Sequence, residues 1–402
     1  MASWKTAVPF IALLASALAA PALAQSAPPP GALRVLVNPG DSSEQSRYAL
    51  YSAWKAAVEQ ALRKHVPNVH VSLSNDATAD LGSTRAGMHD AFVGPAHVVG
   101  SAVRYGYKPV LGIGKPVQAV LVAPKDSEIG SLEQAKGKRL GLPLQDSVVT
   151  YLVRGEVNAA NTTIKRHFAS VYDTRYQDAL LPCLQVRRCD VVAVEKGVFD
   201  RWVAAGEPVK AIMQSRPVPG LSLAIKDGAK PGVEPLQAAL ADAPQFAALL
   251  RGENAQPVAH KADDFKYVAT LGYFTPRTLP GATVVDAKSV AQLLQSGATY
   301  VDTRTDAEFK AGHVPGAVLV PYVEKSAKDA DFDATLDKFD LAKLGTDKNA
   351  ELVFACNGAE CWKSFKATQA ALKAGYRKVY WFRGGFPEWR SSGMKFDGAA
   401  AQ

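Results

Sequence analysis

The 402-residue sequence is poor in cysteine, in long apolar runs beyond its start, and in clustered charge. After residue 24 no segment is long and apolar enough to cross a bilayer, so no further membrane span is expected. The formal net charge is +8, but the basic residues are scattered and form no stripe with interleaved aromatics. A nucleic-acid partner is therefore not expected. The excess charge favours small anionic ligands or serves solubility alone.

Only four cysteines occur, as two close pairs, Cys183/Cys189 and Cys356/Cys361. Neither pair has a second ligand pair at the spacing of a zinc site, so no metal site is expected, and no cofactor is predicted. In an oxidising compartment a close pair predicts a disulfide, which we expect between Cys183 and Cys189. The surroundings of the second pair leave other chemistry open.

The first 24 residues have the pattern of a secretory signal peptide. Lys5 precedes an apolar run, and the Ala-Leu-Ala triplet at residues 22–24 matches the small-x-small cleavage pattern. Residues 25–32 then predict a flexible, proline-rich leader. The alternative to cleavage is an N-terminal membrane anchor. Because no cysteine follows the cleavage site, lipidation is not expected, and the predicted location is a bacterial periplasm.

The chain then alternates short β-type runs with segments of helical spacing. Residues 33–37 form a β-type run, for example, and residues 42–64 follow with helical spacing. Short helices are also predicted over residues 131–136 and 176–181, the second ending at Pro182. This alternation predicts an α/β architecture with largely parallel sheets.

Three passages of this region resemble the periplasmic solute-binding proteins of phosphonate- and phosphite-type ABC importers. They are residues 90–97 with 104–109, residues 122–127 with 131–139, and residues 178–181 with 189–194. The resemblance implies a two-lobed periplasmic binding protein-like fold over residues 33–250 that closes on a ligand. Its hinge segments would lie near residues 116–122 and 209–213.

Ligands of that family are oxyanions, which hydroxyl groups and helix N-termini hold. The candidates in this chain stand at helix starts or in early turns and are Ser42, Ser43, Tyr51, Ser147, Thr150 and Tyr151. The alternative is that these side chains only cap helices. Asp146 next to such a site would repel an anion, which argues against phosphonate itself, and His97 is expected to pack or cap.

Near the C-terminal end an apolar run leads into Cys356, and a short loop of small and polar residues follows. An amphipathic segment with helical spacing comes directly after the loop. A cysteine in this position faces backbone N–H groups and a helix N-terminus, which favour the thiolate and can hold an anion above it. The loop is therefore the strongest candidate for chemistry in the chain.

The motifs around this loop resemble, in order, those of the rhodanese family. They are Asp302-Thr-Arg304, Glu308-Phe309, Gly312-His-Val-Pro-Gly-Ala317, the Cys356 loop, and Gly384-Gly-Phe-Pro-Glu-Trp389. The resemblance covers residues 282–394 and implies a rhodanese-like α/β domain with a central parallel sheet. A linker over residues 251–281 would join it to the first domain, and residues 395–402 would form a tail.

The resemblance implies that Cys356 is a nucleophile that attacks a sulfane sulfur and becomes a persulfide. A thiol, cyanide or another acceptor would then take the sulfur. Asp302 and Arg304 would organise the loop through a salt bridge or buried hydrogen bonds, and His313 would be structural. The backbone N–H groups that would cradle the persulfide belong to Asn357, Gly358, Ala359, Glu360 and Cys361.

One departure from the rhodanese pattern concerns the fifth residue after Cys356. Common rhodaneses carry an arginine there, whereas this chain has Cys361, and the following positive charge is Lys363, a point charge without a planar fork. Cys361 could resolve a persulfide or a sulfenic acid on Cys356 into a disulfide. Three alternatives stay open: sulfur transfer, redox chemistry of the pair, and an inert disulfide.

Together these features predict an exported sulfurtransferase fused to an oxyanion-binding receptor domain. Its partners would be a small oxyanion or sulfane-sulfur donor and a periplasmic thiol or redox protein. The alternative is a non-catalytic periplasmic solute-binding or sensor protein. In that case the rhodanese-like domain would act through Cys356/Cys361 redox chemistry or by docking a partner.

Overall fold

The computed structural model describes residues 31–74 and 76–399. The expected signal peptide, its cleavage site and most of the leader lie outside the described residues, as do the last three residues of the tail. Within the described residues, no helix has both the length and the apolar character needed to span a membrane.

The first region of the chain folds into two lobes built from strands and helices. Its strands are β1 (Leu33–Val37), β2 (Val69–Leu73), β3 (Ala91–Gly94), β4 (Tyr107–Ile113), β5 (Ala119–Pro124), β6 (Arg139–Pro143), β7 (Ser170–Thr174), β8 (Val191–Glu195), β9 (Val209–Gln214), β10 (Ser222–Lys226) and β11 (Pro257–Val258). Its helices are α1 (Glu44–Leu62), α2 (Ala77–Ala86), α3 (Ala96–Arg104), α4 (Val148–Ala159), α5 (Ile164–His167), α6 (Leu180–Gln185), α7 (Lys196–Ala204), α8 (Val233–Ala241), α9 (Pro244–Gly252) and α10 (Lys266–Thr270).

Each lobe has one mixed sheet, with the order β11-β4-β10-β3-β1-β2 in the first lobe and β7-β6-β8-β5-β9 in the second. β1 runs parallel to β2 and β3, and β6 runs parallel to β7 and β8, as successive β-α-β units require. β5 and β10 run antiparallel to their neighbours, because each follows a crossing between the lobes. The two-lobed α/β fold is thus confirmed, but the expectation of largely parallel sheets is wrong.

The two crossings between the lobes lie side by side, joined by an antiparallel bridge between Val117 and Val218. The first crossing falls within the predicted hinge at residues 116–122. The second predicted hinge, residues 209–213, is wrong, because this segment is β9 and pairs with β5 inside the second lobe. The chain returns to the first lobe only after Gln214.

Two short helices also differ from their predictions. Residues 131–136 form turns rather than a helix. α6 continues through Pro182, because a proline in the first helical turn needs no intrahelical N–H bond. At the end of this segment Cys183 and Cys189 form a buried disulfide, with Cα atoms 5.3 Å apart.

The C-terminal domain contains an all-parallel sheet, as predicted for a rhodanese-like fold. Its strands have the order β12-β16-β15-β13-β14. They are β12 (Thr283–Val284), β13 (Thr299–Asp302), β14 (Val318–Leu319), β15 (Glu351–Ala355) and β16 (Lys378–Phe382). The helices are α11 (Ala287–Gln295), α12 (Asp306–Ala311), α13 (Trp362–Lys373) and α14 (Gly385–Ser391).

The segment between the two domains packs against both of them. Phe265 and Val268 are buried against α3 of the first lobe. Farther on, Tyr273 and Thr275 bond to the C-terminal domain: the indole N–H of Trp362 donates to the carbonyl of Tyr273 at 2.8 Å, and Thr275 binds the loop after Cys356. The segment thereby fixes the loop relative to the first domain.

Candidate active site at the domain interface

Cys356 directly follows the carboxyl end of β15, which lies between β13 and β16. A strand in the middle of a parallel sheet is buried on both faces, and the apolar residues 352–355 are accordingly buried. The chain then turns at Gly358, where φ is 87°, and enters α13 with Cys361 in the N-cap position. The Cys356 side chain is 1% exposed and lies close to the N-terminus of α13.

The turn before α14 holds the backbone of Cys356 in place. Gly385 has φ of 58°, and a Cβ atom added there would lie 2.1 Å from the Cys356 carbonyl oxygen. The N–H of Phe386 donates to the same oxygen at 2.9 Å. Gly385 of the Gly-Gly motif is therefore required, because the two loops approach each other too closely there for a side chain.

The Cys356 thiol has two oxygen neighbours. Its Sγ lies 3.1 Å from the carbonyl oxygen of Cys361 and 3.1 Å from the hydroxyl of Ser364. The indole N–H of Trp381 donates to that hydroxyl at 3.1 Å, which orients it. Burial raises the pKa of the Cys356 thiol well above its usual range, and the contact with Cys361 raises it further. The resting Cys356 is thus a thiol that donates a hydrogen bond.

Cys361 is the more acidic thiol of the pair, contrary to the expectation that the loop favours a thiolate on Cys356. Burial alone would raise the pKa of Cys361, but a hydrogen bond from Cys356 and the charges of Lys363 and Arg85 bring it to about 7. Both cysteines are free, with no disulfide between them. The site therefore holds a protonated Cys356 beside a partly ionised Cys361.

Asp302 and Arg304 organise the loop before α12. Arg304 Nη2 lies 2.6 Å from Asp302 Oδ2 and donates to the carbonyl of Gly312 at 2.7 Å, and both side chains are 1% exposed. The guanidinium lies 4.3 Å from the ring centroid of Phe386. This is the buried salt bridge expected from the motif. His313 has a local partner, since its Nδ1 donates to the carbonyl of Phe309 at 2.8 Å.

Glu308 ties α12 to the cysteine loop. One carboxylate oxygen accepts the side-chain amide of Asn357 at 2.5 Å, and the other accepts the backbone N–H of Thr305 at 2.9 Å. Burial alone would raise the pKa of Glu308, but the charge of Lys363 and the hydrogen bonds from Thr305 lower it overall. The sequence contains a signal for this residue, since Thr305 and Glu308 have capping-box spacing.

The first domain and the linker cover the outer side of the cysteine loop. Thr275 N–H donates to the carbonyl of Ala359 at 2.9 Å, and Arg104 Nη1 lies 3.4 Å from Glu360 Oε2. Within the loop, the N–H of Cys361 donates to the carbonyl of Gly358 at 2.9 Å. Of the N–H groups expected to cradle a persulfide, the one on Cys361 is thus already paired.

A cavity of about 710 Å³ lies between the domains and borders the loop. From the C-terminal domain its wall includes Cys361 and Lys363, and from α2 of the first lobe it includes Arg85. Of the predicted rhodanese-type residues, the wall includes Arg304, Asn357, Glu360, Cys361 and Lys363, and Arg85 is added to them, whereas Cys356 lies behind the wall. No motif could have pointed to this arginine, because it stands far away in the sequence and on another domain.

A second and much smaller cavity, of about 60 Å³, lies between the two lobes. Gln177 of the second lobe donates to Asp41 of the first at 2.7 Å and to Glu195 at 3.0 Å. Burial raises the pKa of Asp41 against the effect of its hydrogen bonds with Ser147 and Gln177. Burial together with the charge of Asp41 raises the pKa of Glu195 to about 7. The lobes therefore meet through buried acidic groups.

Asp146 joins three parts of the molecule at the wall of this cleft. Its carboxylate lies 2.5 Å from Lys328 Nζ of the C-terminal domain and accepts the hydroxyl of Thr78 at 2.5 Å, and its carbonyl lies 2.7 Å from Nε2 of His97. Burial alone would raise the pKa of Asp146, but Lys328 and Thr78 lower it overall. Burial lowers the pKa of His97 to about 4, which fits its packing role.

The six hydroxyl residues predicted to hold an anion are not brought together. Ser147 lines the interlobe cleft, whereas Ser42 and Thr150 line other cavities. Several hydroxyls also have local partners: Ser43 caps α1, Tyr51 donates to the carbonyl of Val71 at 3.1 Å, Thr150 donates to the carbonyl of Pro143 at 3.1 Å, and Tyr151 lies 3.5 Å from Asp146 Oδ1.

Comparisons with known proteins match the two parts of the chain separately. A family model described as "Rhodanese-like domain" matches residues 286–392. "Thiosulfate sulfurtransferase 16, chloroplastic" of Arabidopsis thaliana is 31% identical over 102 residues, which are 25% of this chain and 82% of that protein. An HTH-type transcriptional regulator of Mycobacterium tuberculosis is 34% identical over 119 residues, which are 29% of this chain. The match spans only 46% of the regulator.

The first region matches a different family. The model described as "ABC transporter, phosphonate, periplasmic substrate-binding protein" covers residues 37–263. The structure of PhnD1 from Prochlorococcus marinus, solved in complex with methylphosphonate, superposes with a TM-score of 0.51 at 14% identity. It covers 60% of this chain and 97% of that one, and at this identity the likeness shows the fold alone. The chain thus belongs to the phosphonate ABC-transporter periplasmic substrate-binding family and carries a rhodanese-like domain fused to it.

Proposed function

We propose that the rhodanese-like domain transfers sulfane sulfur through a persulfide on Cys356, in a periplasmic protein whose first domain takes up a small anion. One observation carries the proposal. Cys356 is a free thiol at the end of the middle strand, next to the N-terminus of α13 and in contact with a more acidic thiol, that of Cys361. This combination supplies a nucleophile and a group that can take its proton.

The first step is the transfer of a proton between the two cysteines. Cys356 holds its proton at rest, and the Cys361 thiolate lies in hydrogen-bond contact with it. When the proton moves to Cys361, Cys356 becomes a thiolate beside the hydroxyl of Ser364. An adjacent base of this kind activates a nucleophile whose own pKa is too high for reaction at neutral pH.

The second step transfers sulfur. With thiosulfate as donor, the Cys356 thiolate attacks the outer sulfur, a new S–S bond forms, and the electron pair of the donor's S–S bond leaves with sulfite. The loop N–H groups and the N-terminus of α13 stabilise the persulfide anion. A thiol or cyanide then takes the outer sulfur, and the Cys356 thiolate that remains recovers its proton from Cys361.

A second candidate function follows from the contact between the two thiols. A Cys361 thiolate that attacks Sγ of a Cys356 persulfide forms a disulfide and releases hydrosulfide. The pair would then act in redox chemistry within a solute-binding or sensor protein, and a periplasmic thiol or redox protein would be needed to reduce the disulfide again.

Cyanolysis tests the sulfur-transfer proposal. The reduced, exported chain is incubated with thiosulfate, and protein-bound cyanolysable sulfur is measured for the wild type, Cys356→Ser and Cys361→Ser. We expect about one equivalent on the wild type and none on Cys356→Ser. Cys361→Ser should load sulfur more slowly at neutral pH but retain it, since no thiol can resolve the persulfide. A wild type without cyanolysable sulfur would overturn the proposal, and a rapidly formed disulfide with released hydrosulfide would favour the second candidate.

Anion uptake by the first domain has its own test. Ser147 lines the cleft and caps α4, a position where a helix N-terminus can meet an anion. We expect one or more of phosphate, phosphonate, sulfate and thiosulfate to raise the melting temperature. If none of the four changes it, the anion-receptor part of the proposal fails.

A further inference from the structure

The cavity between the domains has an unusual arginine in its wall. Arg85 belongs to α2 of the first lobe and is 5% exposed. Within the described residues its Nε has no hydrogen-bond partner, and no carboxylate lies within ion-pair distance of the guanidinium, although, against the effect of burial, the charge of Glu360 raises the pKa of Arg85. Burying a charged donor without a partner is costly, so such a group in a cavity wall indicates a ligand that completes it.

Other charges in the same wall are already paired with groups behind it. Arg304 lies 2.6 Å from Asp302, and Lys328 lies 2.5 Å from Asp146. Glu360 lies 3.4 Å from Arg104, which offsets its negative charge. Arg304 Nη1 and Glu360 Oε2 also lack a hydrogen-bond partner among the described residues, but both side chains belong to ion pairs. Arg85 differs from these neighbours because its guanidinium has no ion pair among the described residues.

The surroundings of Arg85 link it to the sulfur chemistry. Cys361 and Lys363 line the same cavity, and the charges of Lys363 and Arg85 both lower the pKa of Cys361. Cys361 occupies the loop position where the rhodanese pattern carries an arginine. A guanidinium presents a planar fork of donors that matches an oxyanion, which the ammonium of Lys363 does not.

We infer that Arg85, together with Lys363, binds the oxyanion end of the sulfur donor, so that the first domain supplies across the interface the guanidinium that the cysteine loop lacks. This inference rests on the proposed function and names the donor class: a sulfane sulfur attached to a sulfonyl-type oxyanion, as in thiosulfate or an organic thiosulfonate. A cavity of about 710 Å³ has room for a donor larger than the inorganic ion.

The experiment compares two donors that differ in the oxyanion. Thiosulfate carries one, whereas hydrodisulfide transfers a sulfur to the same thiolate and leaves as hydrosulfide. Persulfide loading is followed in single turnovers over a range of donor concentrations, on the full chain. The variants are Arg85→Gln and, as a matched control, Arg390→Gln. Arg390 crosses the same interface, where its Nη1 donates to the carbonyl of Ala86 at 3.2 Å, but it does not line the cavity.

We expect Arg85→Gln to raise the half-saturating thiosulfate concentration by about tenfold or more, as for the loss of a hydrogen bond to a charged group. Loading from hydrodisulfide should change by less than about twofold, because this donor has no oxyanion to lose. Arg390→Gln should leave both donors unaffected. If Arg85→Gln does not fold, Arg85→Lys, which keeps the charge but not the fork, should still raise the thiosulfate value by about threefold.

The outcomes separate this inference from the proposed function. An unchanged thiosulfate value in the Arg85 variants, or an equal loss with both donors, overturns the assignment of Arg85 as the oxyanion-binding residue. Loading of the wild type by hydrodisulfide but not by thiosulfate also overturns the donor class while leaving sulfur transfer in place. Only the absence of loading from either donor overturns the proposed function itself.

Discussion

The interlobe cleft and the interdomain cavity lie next to each other, but the charged side chains in their walls are paired to different extents. Asp76, Thr78 and Leu144 line both of them. The cleft measures about 60 Å³ and the cavity about 710 Å³. The two spaces therefore share a wall but differ about tenfold in size, the cleft being nearly filled by its own side chains.

In the cleft, acidic groups are hydrogen-bonded or paired: Asp41 accepts from Gln177, and Asp146 contacts Lys328. In the cavity, Arg85 and Lys363 have no ion pair among the residues that the structure describes. An anion in the cleft would meet Arg47 and Arg175 beside the carboxylates of Asp41 and Asp146, whereas an anion in the cavity would meet Arg85 and Lys363 next to the Cys361 thiol.

Removing the lysine that neutralises the cleft should have the largest effect. Lys328→Ala leaves Asp146 buried without its ion partner, which is expected to lower the free energy of unfolding by about 3–5 kcal/mol in urea denaturation. The matched control is Lys310→Ala, which breaks an exposed pair with Asp306 and should change little. A loss no larger than the control's would mean that water reaches Asp146 and that its charge needs no buried partner.

The cleft acids should also make stability depend on pH. The pKa of Glu195 is about 7 in the folded protein, above its ordinary 4.5, so the folded state binds more protons between these values. The contribution of Glu195 to stability is therefore fully present below about pH 4.5 and is lost as pH rises through 7. Glu195→Gln keeps an acceptor for Gln177 and should raise the free energy of unfolding at pH 8 by about 3 kcal/mol. The exposed control Glu128→Gln should leave the pH profile unchanged, and an unaltered profile in Glu195→Gln would contradict the raised pKa.

Substitution of two helix-capping serines can distinguish a structural role of Ser147 from a role in anion binding. Ser147 and Ser43 cap α4 and α1, but only Ser147 lines the cleft. Each Ser→Ala change should lower the free energy of unfolding by about 1 kcal/mol. Ser147→Ala should in addition shrink the rise in melting temperature that the bound anion gives. If both variants keep the full rise, Ser147 is a cap alone.

The smallest expected effect concerns the charge next to the thiols. Alkylation of Cys361 by iodoacetamide, followed by mass spectrometry, should rise with pH through a midpoint near 7, because only the thiolate reacts. Lys363→Gln removes a positive charge and should slow the reaction at pH 7 about threefold. Lys373→Gln, at the far end of α13, is the control. Faster labelling of Cys356 than of Cys361 would reverse the assignment of the acidic thiol.

The rhodanese-like domain could be predicted well because its signals are local in the sequence. The run before Cys356, the loop and the following helix are contiguous, and Gly385 is needed where two loops touch. The Asp302–Arg304 pair spans only two positions. The acidity order of the cysteines could not be predicted, because it depends on burial and on the charge of Arg85 in another domain.

The binding domain was harder to predict for topological reasons. The crossing strands β5 and β10 have the same apolar composition as parallel strands, so their reversed direction leaves no mark in the sequence. Hydroxyl residues at helix starts were also ambiguous, because the same side chain serves as a cap or as a ligand, and Ser43 is used as a cap. The Asp146–Lys328 pair joins positions too distant for any local pattern to connect.

The hydrogen bonds between Thr275 and Ala359 limit where the rhodanese-like domain can be separated from the rest of the chain. The interdomain segment supplies donors to the cysteine loop itself, with the Thr275 N–H at 2.9 Å and its hydroxyl at 2.8 Å from the Ala359 carbonyl. A domain cut out at residue 282 would leave that carbonyl and the Trp362 indole without their partners. The rhodanese-like domain can therefore not be exchanged alone: a recombination that replaces it must include the preceding segment.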